Sequence, residues 1–173
     1  MALQSYFTCT TVDTITTCIV RMSGRRVVVF SSAAELGPAL AHLVASRADK
    51  ALLDHGQFSL GLSGGSLVSM LSKELPALPD LDCSHWLVGF CDDRLVPFDD
   101  GESTYGLHKN QLFSKINIPD SGVLAIDSSS SVQECAEDYA CKLKEVQTHT
   151  HTYTHTHSSF ITCMVMKQRK VMT

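Results

Sequence analysis

Two short polar clusters hold the residue types that could do chemistry in this chain. The first is Gly61-Leu62-Ser63-Gly64-Gly65-Ser66. It lacks the Lys that a P-loop places before its final Ser or Thr, and it lacks the G-x-G-x-x-G of a dinucleotide fingerprint. It does satisfy G-x-S-x-G, the strand-to-helix elbow of a serine hydrolase, with Ser63 as candidate nucleophile. Such a hydrolase needs an acid and then a histidine further along, and only His85, His108 and the histidines of a C-terminal repeat follow. A second reading is a phosphate cradle: glycines let backbone N–H groups approach an anion at a helix N-terminus, and the Ser66 hydroxyl adds a donor. A plain glycine turn is the third.

The second cluster is Asp92-Asp93-Arg94, a guanidinium flanked by carboxylates. Arg94 could clamp a phosphate or carboxylate bidentately, and Asp92 could bind sugar hydroxyls or orient a polar partner. A surface ion pair in a loop is the alternative. Asp99, Asp100 and Glu102 read as a solvated loop face. Thr104 and Tyr105 open the next helix and border the same cleft, while Trp86 and Phe90, at strand spacing, read as core.

The elements around these clusters alternate. Val27–Phe30 reads as a short buried strand. Ser32-x-x-Glu35 is a capping box that opens a helix with Leu36, Leu40, Leu43 and Val44 on one face. Gly56 ends that helix, and Phe58–Leu62 is a strand running into the glycine cluster. Leu67, Met70, Leu71 and Leu75 form a helical stripe stopped by Pro76. Trp86–Cys91 is a strand ending in the acidic cluster, Ser103–Phe113 a short helix and Val123–Ile126 a fourth strand. Ser131-x-x-Glu134 caps a last helix with Val132, Cys135, Ala136, Tyr139, Ala140, Leu143 and Val146 facing inward. Strands alternating with helices indicate an α/β domain with a largely parallel sheet. In such sheets ligands bind beyond the carboxyl ends of the strands, where both polar clusters fall.

The 173 residues suffice for one sizeable core. A composition 44% hydrophobic and 18% charged, with 10 Gly and 5 Pro, excludes fibrous, collagen-like and wholly disordered chains. A net charge of −4 disfavours a dedicated nucleic-acid binder, and no apolar run is long enough to span a membrane. The seven cysteines are odd in number and contain no CxxC, which points to reduced thiols rather than a zinc site or disulfide scaffold. Residues 1–20 carry no basic residue, unlike a signal or transit peptide, so the cytosol is the expected location.

Charge divides the chain. All 18 acidic residues precede residue 148, while Lys167, Arg169 and Lys170 are the only Lys or Arg after it. The boundary is a Thr/His alternation from Thr148 to His157, interrupted by Tyr153. It offers no apolar face to bury, so the segment 148–173 is expected to lie disordered outside the packed domain. A CA dinucleotide repeat read in frame encodes Thr-His, which makes translated non-coding sequence the economical origin; a histidine-rich metal tract is the other reading. Met22 stands just before the first strand like a start codon, so residues 1–21 read as an upstream extension with no role in the fold, and 22–147 as the domain.

Three ordered motifs now carry a resemblance. Leu60–Leu71, Trp86–Pro97 and Glu102-Ser103-Thr104-Tyr105-Gly106, with Ala136–Ala140 beyond them, strongly resemble the 6-phosphogluconolactonases of the glucosamine-6-phosphate isomerase/6-phosphogluconolactonase family, over about residues 25–147. The resemblance implies a parallel-sheet fold like those of glucosamine-6-phosphate deaminase and ribose-5-phosphate isomerase. It implies a cytosolic enzyme of the oxidative pentose phosphate pathway that hydrolyses 6-phosphoglucono-1,5-lactone without metal or nucleotide cofactor; a monomer acting on this small molecule, with no nucleic-acid or membrane partner, is expected. By position, Ser63, Gly64, Gly65 and Ser66 would bind the 6-phosphate, and Asp92 and Arg94 would act at the lactone. Asp93 stands where the family has Glu, one methylene shorter. The family continues into a Gly-x-x-x-Asp-Gly-His segment whose His activates water, and nothing in residues 148–173 resembles it. A truncated product is therefore expected, and a binding-only fragment is the competing reading, with a Ser63 esterase the third.

Overall fold

The computed structural model describes residues 7–12, 15–22, 25–151 and 161–163, with side chains from 27 to 146. Its elements in chain order are strands β1 (Phe7–Val12), β2 (Ile15–Met22) and β3 (Arg25–Val29), helix α1 (Ala33–His55), strand β4 (Phe58–Leu62), helix α2 (Ser66–Glu74), strand β5 (Trp86–Phe90), helices α3 (Thr104–Gln111) and α4 (Val132–His151), and strand β6 (Ile161–Cys163).

Two sheets form. The one that positions the polar clusters has the order β5-β4-β6 and is parallel throughout, with Leu62 opposite Phe90 on one side and Cys163 on the other. Every residue of β4 and β5 is buried, as expected when a parallel sheet is covered on both faces. Phe58, Leu60 and Leu62 of β4, Leu67, Leu71 and Leu75 from α2 onward, and Trp86, Val88 and Phe90 of β5 form one core with Ala41, Val44 and Ala48 of α1. Burying each large side chain of this kind stabilises the fold by about 1.5–3 kcal/mol before entropy is set against it.

The caps follow the sequence. Ser32 accepts the Glu35 amide at the start of α1, and Gly56 closes that helix by donating its N–H to Leu52. At α4 the box is reciprocal: Ser131 Oγ accepts the Glu134 amide, and the Glu134 carboxylate accepts from the Ser131 amide and hydroxyl. The Tyr139 hydroxyl then fastens α4 to β5, accepting the Phe90 N–H at 2.6 Å and donating to the Phe90 carbonyl at 3.0 Å.

Several expectations change. Val27–Val29 do not join the buried sheet; they pair with β2 in an antiparallel meander with β1 and are 39–50% exposed. Residues 7–22 are rich in Thr, Ile and Val, which favour extended backbone, so the segment read as having no role supplies two of the three strands. The inward face of α1 is formed by Gly37, Ala41, Val44 and Ala48, while Leu43 is half exposed; small residues allow close approach to the neighbouring elements. Among the described side chains of α4 only Cys135 is buried, Tyr139, Leu143 and Val146 are half-buried, and Val132, Ala136 and Ala140 face out. Val123–Ile126 contributes a single parallel bridge, Val88 to Val123, rather than a strand.

Residue 148 is likewise no structural break. α4 continues to His151, and Ile161–Cys163 adds a strand to the β4 edge, where backbone pairing needs no alternating apolar face. The remainder of the Thr/His alternation lies outside the described residues.

Candidate functional site

Parallel register brings the two polar clusters side by side. Leu62 and Phe90 are cross-strand partners, so β4 delivers Ser63 and β5 delivers Cys91 and Asp92 at the same end of the sheet. The Cys91 N–H donates to the Leu62 carbonyl at 2.7 Å and extends the pairing one residue past the strands.

The glycine cluster turns directly into α2. Gly65 is its N-cap with φ +71°, a left-handed value at which a side chain would be strained. Gly64 is tight for another reason: a Cβ there would sit 3.2 Å from Thr104 Oγ1. The loop thus abuts the first residue of α3. The first N–H groups of any helix have no acceptor within that helix, so the Ser66 end of α2 presents donors and a partial positive charge.

The acidic cluster reaches the same residue. Asp93 Oδ1 accepts the Thr104 N–H at 3.1 Å and the Arg94 N–H at 3.0 Å. Burial pushes the Asp93 carboxyl up from its ordinary value, against the amide hydrogen bonds that pull it down, and its Oδ2 is buried without a partner among the described residues. Asp92 is exposed at the end of β5. Arg94 is exposed and ion-paired with Glu102, the surface arrangement considered as the alternative. Such a pair is weakly held and easily exchanged for a charged ligand.

His108, one turn after Thr104, is the residue that motif reading missed. It is fully buried, and its Nε2 lies 3.1 Å from the Ser63 carbonyl oxygen. Its ring stacks on Phe113 and lies against Phe90. The signal was the i, i+4 spacing from Thr104, which puts both residues on one face of α3. His85 precedes β5 at the opposite end of the sheet and contacts Ser84. Neither histidine is placed as a base for a Ser63 nucleophile, since His108 engages the Ser63 backbone. The described residues contain no group of three or more His, Cys, Asp and Glu that could hold a metal. Cys83, Cys91, Cys135 and Cys141 are free thiols, and burial pushes that of Cys83 up to about 12.

The adjacent carboxyl ends of the parallel sheet set a helix-capping glycine loop beside an acidic-arginine loop, an arrangement chemically able to accept an anion. Residues 31–160 match the family described as glucosamine-6-phosphate isomerases/6-phosphogluconolactonase, and the chain belongs to that family. Over 122 residues it is 56% identical to the 6-phosphogluconolactonase of Rattus norvegicus, covering 68% of this chain and 48% of that protein. It superposes on the 6-phosphogluconolactonase of Trypanosoma cruzi with a TM-score of 0.56 at 26% identity, over 68% of this chain and 48% of that one. A monomeric glucosamine-6-phosphate deaminase shares the fold, with a TM-score of 0.59 at 16% identity over 67% of this chain and 48% of that one. The chain spans about half the length of the curated relatives it matches. No helix among the described residues is long and apolar enough to cross a membrane.

Proposed function

We propose that these 173 residues carry the substrate-binding half of a cytoplasmic 6-phosphogluconolactonase and, alone, hydrolyse the lactone slowly. The observation that carries this reading is the meeting of both clusters at Thr104: Gly64 packs against its side chain and Asp93 holds its amide. One ligand can therefore touch both loops. Ser63, Gly64, Gly65 and Ser66 bind the phosphate through backbone N–H groups and the Ser66 hydroxyl. Arg94, released from Glu102, stabilises the negative charge that develops on the lactone oxygen, and Asp92 orients the sugar hydroxyls.

Hydrolysis of 6-phosphoglucono-1,5-lactone forms a bond from a water oxygen to the carbonyl carbon and breaks the bond from that carbon to the ring oxygen. The ring oxygen takes a proton and becomes a hydroxyl. A positioned base for the water contributes typically ~10²–10⁴-fold. The family resemblance assigns that base to a Gly-x-x-x-Asp-Gly-His segment, which these residues do not contain. Binding without rapid turnover follows.

The test is titration calorimetry of the purified chain with 6-phosphogluconate, the stable product. Binding is expected, weakened about tenfold by Arg94→Ala through loss of a charge-assisted contact. Absence of binding to the unmodified chain overturns the assignment.

A further inference from the structure

We propose that His108 is a positioning residue for the anion site, holding the glycine loop through the carbonyl of Ser63. The proposal rests on the reading of Ser63–Ser66 as a phosphate loop and goes beyond it by naming what keeps that loop in shape.

The contact fixes the chemistry. A carbonyl oxygen only accepts, so the proton on the imidazole nitrogen 3.1 Å away is on Nε2. Nδ1 is then a bare acceptor, and it is buried with no hydrogen-bond partner among the described residues. A fully buried polar ring with one unpartnered nitrogen is costly to keep, and packing alone would be served by a phenyl ring between Phe90 and Phe113. What the imidazole adds is the single directed bond to the loop.

That bond has a geometric consequence at the site. The Ser63 carbonyl and the Gly64 N–H belong to one planar peptide unit and point in opposite directions. Holding the carbonyl toward the buried ring therefore fixes the Gly64 N–H on the side away from that ring. Gly64 has little side-chain bulk to resist rotation of this peptide, and Gly65 occupies a left-handed conformation immediately after it. α3 holds this peptide from outside the loop through that contact. The same helix contributes Thr104 to the meeting point of the two clusters, so one rigid element sets both the shape of the loop and its distance from Asp93.

The experiment measures inorganic phosphate and 6-phosphogluconate binding to the 173-residue chain and two variants. His108→Phe keeps ring volume and removes the donor; His108→Gln places an amide N–H near the position of Nε2. His108→Phe is expected to weaken phosphate binding by about five- to tenfold, the usual net effect of one hydrogen bond, with His108→Gln restoring most of the loss. Phosphate binding unchanged in a folded His108→Phe overturns the positioning role while leaving the phosphate-loop reading intact. Absence of phosphate binding to the unmodified chain overturns both. Should His108→Phe fail to fold, nitrogen-15 NMR of the unmodified chain decides: a protonated Nε2 whose resonance moves on adding phosphate supports the clamp, and a protonated Nδ1 or an unmoved resonance overturns it.

Discussion

Asp93 Oδ1 accepts the backbone N–H of Thr104 at 3.1 Å, joining the end of β5 to the start of α3 across the candidate site. Burial raises this carboxyl above its ordinary 3.8, outweighing the hydrogen bonds that lower it. An acid that binds its proton more tightly folded than unfolded costs stability as pH rises through its folded value. Asp93→Asn retains an acceptor for the two amides and removes the charge. Its melting temperature at pH 7 should match or exceed that of the unmodified chain, with the difference vanishing near pH 3.8; a lower value at pH 7 would show that the charge itself is needed.

His108 has the opposite sign. Burial holds its imidazole below the ordinary 6.5, against the Ser63 hydrogen bond that raises it, so the unfolded chain takes up a proton first. The stability of the neutral folded form is complete above pH 6.5 and declines as pH falls from there toward the lowered folded value. Chemical denaturation between pH 7.5 and 5 should show this decline and its reduction in His108→Phe. Parallel pH profiles for the two chains would contradict the buried neutral ring.

Ser63 should resist covalent chemistry. Its backbone carbonyl engages His108, and the residue is buried, so an active-site serine probe such as a fluorophosphonate is expected to leave it unlabelled. Stoichiometric labelling at Ser63 by mass spectrometry would revive the esterase reading.

β6 occupies the free edge of β4, pairing Ile161 with Leu60 and Cys163 with Leu62. Ending the chain after Gln147 removes that strand and shortens α4, leaving the β4 edge and its buried side chains open to solvent. The shortened chain should melt lower and aggregate faster than the 173-residue chain, read by light scattering on heating. Equal behaviour would show that the β6 pairing contributes nothing to stability.

How much of this was legible in the sequence depended on how local the signal was. Phe58–Leu62 and Trp86–Phe90 were readable because short apolar runs bounded by Gly, Ser and Asp permit little else, and the caps at Ser32 and Ser131 because a cap is a contact over three residues. On α1, Val44 and Leu40 do pack inward as their spacing indicates, while Leu43 does not, because close helix packing selects the small Ala41 and Gly37. The strand at Val27–Val29 was read as extended, but its partners β1 and β2 went unread, since these Thr-rich strands pair without needing an apolar stripe. At the site, Ser63–Ser66 and Asp92–Arg94 stood out as motifs, and the family resemblance set them in order. The bond from His108 to Ser63 spans 45 residues and exists only once α3 packs against the end of β4. The i, i+4 spacing from Thr104 marks the face of α3 on which His108 lies, but the contact from that face to Ser63 is set by tertiary packing alone.

The central claim, a binding half-site without its base, is tested most directly by the rate of 6-phosphoglucono-1,5-lactone hydrolysis. The comparison is between the purified 173-residue chain and a chimera that continues after Gln147 with the remaining part of the rat relative, both corrected for spontaneous ring opening. The 173-residue chain should run close to background, and the chimera at least ~10²-fold faster, the usual contribution of a positioned base. Equal, fast rates would contradict the claim and place a competent base within these residues.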